Sequence, residues 1–146
     1  MFWFNNKKNN IKIGNEKNIN EENINDIINK FSTLIDATSK NITILFTNLS
    51  NDFENSYQHE ILEDLNIVKE LKSKIINVYN KYILKNSNSL ERHRLKVYID
   101  FLNVAEYSLT KILNLRITTK NEKIIREKQN LLFNKIEKSY KNIKSN

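Results

Sequence analysis

The sequence predicts an all-α protein, an antiparallel up-down helical bundle of three long helices plus a fourth C-terminal helix. Three observations carry this expectation. Proline is absent and glycine occurs once in 146 residues, so the residues that turn and interrupt a chain are nearly missing, and a sheet protein with its many turns does not fit. Apolar residues recur in alternating steps of three and four over runs far longer than a strand. The polar breaks between those runs are short, which makes consecutive helices antiparallel neighbours.

In chain order, residues 1–23 form an Asn- and Lys-rich N-terminal arm with an apolar tip, and residues 24–146 form the helical bundle domain. The tip, Phe2, Trp3 and Phe4, is too short for a signal-peptide core or a membrane span. It either packs on the bundle or contacts a membrane surface or partner. Asn18 with Glu21 suggests a helix start. From there Ile24, Ile28, Phe31, Ile35, Thr38, Ile42, Leu45 and Leu49 mark one seam, with Thr38 its single polar interruption. The helix ends near Ser50, and Asn51 with Glu54 is the next start signal.

The second helix carries Ile61, Asp64, Val68, Leu71, Ile75, Val78 and Tyr82 to about Leu84. After the break at residues 85–89, Asn88 and Glu91 form a cap pair. The third helix then runs through Leu95, Tyr98, Leu102, Ala105, Leu109 and Ile112 to about Leu115. Thr119 and Glu122 repeat the start signal before a fourth helix with a thinner apolar face, Ile125, Leu132, Ile136 and Ile143. Its basic last turns, from Lys138 to Lys144, are expected to fray.

The formal net charge is +7 and the pI about 9.5, which suits nucleic acid, an acidic protein face or anionic lipid. The bias toward Asn, Ile and Lys is also what an AT-rich genome produces, and Lys-rich solvated faces carry little specificity. Cysteine is absent, so there are no disulfides and no thiolate chemistry. That fits a reducing, cytoplasmic setting.

Candidate chemistry is sparse. Asp64 interrupts an apolar seam, where an ionised carboxylate is costly unless paired, protonated or metal-bound. Glu106 stands beside the third seam next to small Ala105. Together, Asp64 and Glu106 are the candidate metal ligands; a divalent metal and neutralisation by Lys, Tyr or Asn groups are the alternatives, and too few further ligands favour the metal. His59 and Glu63, four apart, could share a metal on one turn but nothing completes the set. His93 sits between Arg92 and Arg94, which repel a cation. Arg92, Arg94 and Lys96 make a basic cluster at the start of the third helix, suited to a phosphate or an acidic partner. No nucleophile triad, zinc-protease motif or phosphate loop occurs, so no catalytic residue and no cofactor is expected, and the chain is not expected to be an enzyme.

Residues 97–106, from Val97-Tyr98-Ile99-Asp100-Phe101 through Leu102-Asn103-Val104-Ala105-Glu106, resemble the third helix of a PhoU-type domain, found in phosphate-uptake regulators and in the cytoplasmic tail of sodium/phosphate cotransporters. Glu106 matches the Glu of that family's Glu-Arg-Ile-Gly/Ser-Asp motif, with Tyr107 in place of the Arg and Thr110 in place of the Asp. Glu63-Asp64-Leu65-Asn66-Ile67-Val68 resembles its acidic stretch, with Asp64 on the first acidic position and Val68 on the second. The start from Met1 to Lys8 is similar to that of small free-standing relatives. The resemblance spans about residues 24–115 and implies a non-enzymatic regulatory or accessory bundle that docks on a transporter or signalling protein; the replacements at Val68 and Thr110 remove ligands of the family's metal site. The alternative reading of the residues is a small basic inhibitor or adaptor that binds a nucleic-acid-handling complex, or nucleic acid itself, through Lys-rich faces.

Overall fold

The computed structural model describes residues 21–85 and 89–145, with side chains placed over 24–82 and 90–145. The described residues form four helices and no strand: α1 (Glu21–Asn51), α2 (Gln58–Lys85), α3 (Ser89–Thr118) and α4 (Glu122–Lys144). At 1.5 Å per residue the longest, α1, spans about 46 Å. The cap at Asn88 and the tip at Phe2, Trp3 and Phe4 lie outside the described residues, and α1 is already helical before Ile24.

Cross-contacts give the directions. Asp36 and Ser50 of α1 meet Tyr140 and Gln129 of α4, so that pair runs antiparallel; Lys72 of α2 meets Glu106 of α3, and the short break between Lys85 and Ser89 makes those neighbours antiparallel as well. Asn29 and Phe53 meet Arg94 and Arg116, which makes α1 and α3 parallel. The connectivity is therefore up-down-up-down. Helices α1 and α3 touch across the bundle, while α2 and α4 stand at opposite corners.

Every apolar seam residue expected in α1, α2 and α3 is buried, and so are Ile27, Leu34 and Phe46, because α1 packs against three neighbours and needs a stripe wider than one seam. Thr38 is buried without penalty, since its hydroxyl donates to the Leu34 carbonyl at 2.7 Å. Thr33, Thr43 and Thr47 bond back in the same way on the exposed side. In α4 Ile125, Leu132 and Ile136 are buried, together with Gln129.

Several helix ends differ from the expectation. Asn51 closes α1 rather than starting α2. Residues 52–57 form a connector, and Asp52 N–H extends the α1 pattern to the Asn48 carbonyl. Tyr57 takes a left-handed backbone (φ 53°), held by its N–H to Asn55 Oδ1, and its carbonyl accepts from Ile61 to begin α2. Asn121, not Thr119, caps α4, its side chain accepting from Ile124 N–H at 3.2 Å. At the end of α4 the chain is helical to Lys144, where the Tyr140 hydroxyl donates to Asp36 at 2.6 Å, Lys144 lies 2.8 Å from the same carboxylate, and the Tyr140 ring packs on Phe101. Lys144 and Tyr140 thus both meet Asp36 of α1.

Candidate functional site

Asp64 is buried at 4% exposure, and one carboxylate oxygen has no hydrogen-bond partner among the described residues. Burial, reinforced by the Glu63 charge, pushes its carboxyl up to about 7. Glu106 is half-buried and ion-paired, its Oε1 2.6 Å from Lys72 Nζ. The structure does not bring these two acids together. Lys72 fixes the level of Glu106 along α2, and Asp64 lies eight residues away, about 12 Å at the helical rise. A single ion cannot bridge them, and among the described residues no group of three or more His, Asp or Glu is gathered.

His59 and Glu63 do approach, at 3.6 Å, but the imidazole is 87% exposed. The basic cluster is split. Arg94 turns toward α1 and donates to Asn29 Oδ1 and the Tyr98 hydroxyl, both at 3.3 Å, whereas Arg92 and Lys96, four residues apart, share another face. Residues spaced by two on a helix point apart by about 200°.

The most elaborate polar assembly was not apparent from sequence. At the end of α3, Arg116 donates to the carbonyls of Phe53 (3.0 Å), Asn55 (2.8 Å) and Ser56 (3.4 Å) and to Gln129 Oε1 (3.4 Å). Arg126 of α4 donates to the Ser50 carbonyl at 2.9 Å and to Glu122 at 2.7 Å. Both guanidinium groups flank the Phe53 ring, at 5.1 and 5.2 Å from its centroid. Gln129 completes the set by donating to Ser50 Oγ at 3.0 Å. Burial, with the Arg126 charge, holds the Arg116 pKa below its usual value. Most of the guanidinium donors go to backbone carbonyls, which ties the 52–57 connector to the α3–α4 corner. The arrangement is a structural clamp between the connector and the α3–α4 corner.

Among the surface hollows of the described residues, those between α3 and α4 combine exposed apolar side chains with lysines. Asn103, Tyr107, Lys111 and Leu115 on α3 face Lys128, Leu131, Lys135 and Lys138 on α4 along a groove of two adjoining hollows that share Tyr107 and Lys135. Tyr107 is its centre. The ring is 51% exposed and has Lys111 and Lys135 Nζ at 5.6 and 5.8 Å from its centroid. Leu131 is 58% exposed, although its neighbour Leu132 is buried. Sequence reading missed these residues. Leu131 stands one position off the α4 seam, and Tyr107 drew notice only as the residue replacing an Arg; the available signal was an apolar and an aromatic residue among lysines at helical spacing.

Comparison of the chain with protein-family models, curated proteins and solved structures gives no significant match. No helix among the described residues is long and apolar enough to cross a membrane.

Proposed function

We propose that this chain is a non-enzymatic accessory or regulatory bundle of the cytoplasm that works by docking on another protein. The observation that carries the reading is the apolar surface the fold leaves uncovered between α3 and α4, where Tyr107 and Leu131 are more than half exposed while the core beneath them is already complete. Large apolar side chains kept in water at a rigid, two-helix surface are what a partner would cover. The PhoU-type resemblance of α3 and the acidic stretch of α2 add the kind of partner: a transporter or a signalling protein. Glu106 acts here as an ion-pair partner of Lys72, and Asp64 as a buried carboxyl that carries its proton below about pH 7.

The test is cross-linking of the full chain in its native cell followed by mass spectrometry. Recovery of a transporter or signalling component, with complexes stable to raised salt, supports the proposal. Recovery of a nuclease or polymerase, or a complex that weakens steeply with salt, reassigns the chain to the basic nucleic-acid adaptors.

A further inference from the structure

The α3–α4 groove has a shape, a floor and a charge, and together they specify what fits it. Its α4 wall runs from Lys128 to Asn142, a rise of about 21 Å, which matches about four turns of a docked helix. Its apolar lining passes from Val104 and the Tyr107 ring in one hollow to Leu131, Leu132 and Leu115 in the other, a row along which the apolar anchors of an amphipathic helix can seat.

The rim carries lysines from both walls, most of them from α4. Lys111 comes from α3; Lys128, Lys135 and Lys138 come from α4; and no described carboxylate forms an ion pair with any of these four. Of the two acids along the groove, Glu106 is already held by Lys72, and Asp100 stands at the far end. Four cations around an apolar floor call for a ligand with carboxylates beside its apolar ridge.

We propose that this groove is the docking site for an acidic amphipathic helix of a partner protein. The inference rests on the docking function proposed above and adds the face and the chemistry of the partner. Alternative occupants fit the surface less well. A single-stranded nucleic acid stacks its bases on several aromatic rings, and this floor has one ring among branched aliphatics. A bilayer engages a projecting apolar ridge, whereas here the leucines lie between two lysine-bearing walls. A second copy of the chain would set lysines against lysines.

The experiment displays a library of random helical 16-residue peptides against the immobilised full chain and maps the binders by backbone amide shifts. The expected outcome is enrichment of peptides with Glu or Asp flanking a Leu, Ile or Phe stripe, shifting amides of residues 103–115 and 128–139. Leu131→Glu and Lys135→Glu should each weaken the best peptide at least tenfold while leaving the helical circular dichroism unchanged. A Glu-to-Lys exchange in that peptide should restore at least part of the loss with Lys135→Glu. Enriched peptides that shift only other faces, or failure to enrich any peptide, overturn the groove and leave the docking function to be judged by the cross-linking. A 20-residue oligouridylate, or phosphatidylserine vesicles, shifting the groove amides more tightly than any peptide would assign the surface to nucleic acid or lipid instead.

Discussion

Asp64 makes stability depend on pH in a direction opposite to that of most carboxylates. Its carboxyl is raised from 3.8 to about 7 by burial in the α2 seam, so between those values the folded chain keeps a proton that the unfolded chain has released. The folded state then binds more protons than the unfolded one, and unfolding free energy falls as pH rises. The contribution is complete below about pH 4, is lost progressively as pH rises to about 7, and stays lost above it. At 1.36 kcal/mol per pH unit, a separation of about three units amounts to roughly 4 kcal/mol. Asp64→Asn has nearly the same shape and cannot ionise. Urea unfolding followed by circular dichroism should therefore show the variant gaining on the wild type by about 4 kcal/mol between pH 4 and pH 8.5. Other titrating groups are common to both proteins and cancel in the difference. A gap that stays constant within about 1 kcal/mol across that range would refute the assignment of a buried, protonated carboxyl.

Three further outcomes follow from the packing. Arg116→Lys keeps the charge but loses the fork that reaches the Phe53 and Asn55 carbonyls, and should cost about 2–3 kcal/mol in urea unfolding and speed proteolysis within residues 52–57. Phe101→Ala empties a fully buried site against Tyr140 and should cost about 3–5 kcal/mol, measured by thermal unfolding. Tyr140→Phe removes only the hydroxyl donated to Asp36; it should cost about 1 kcal/mol and raise amide exchange in the last turns of α4 while leaving α2 unchanged.

The helices and their buried seams were legible in the residues because helix periodicity is local: a step of three or four places two side chains on one face whatever the rest of the chain does. Ile24 to Leu49, Ile61 to Tyr82 and Leu95 to Ile112 needed nothing else. Asp64 could also be recognised as an exception, since an acid in an apolar seam is visible in one dimension. Helix ends were less legible, because Asn51, Thr119 and Asn121 are all competent caps and the choice among them depends on where the chain must turn to bring the next helix onto the core.

Tertiary structure alone decided the long-range partners. Nothing local sets Arg116 under the carbonyls of residues 53–56, or Lys72 against Glu106, or Asp36 against both Tyr140 and Lys144; these depend on the axial register between helices. Register likewise separated Asp64 from Glu106 and gathered Tyr107, Lys111, Leu131 and Lys135 into one groove. The spacing within a helix is a property of its own backbone, whereas the sliding of one helix against another is settled by how all the side chains between them pack.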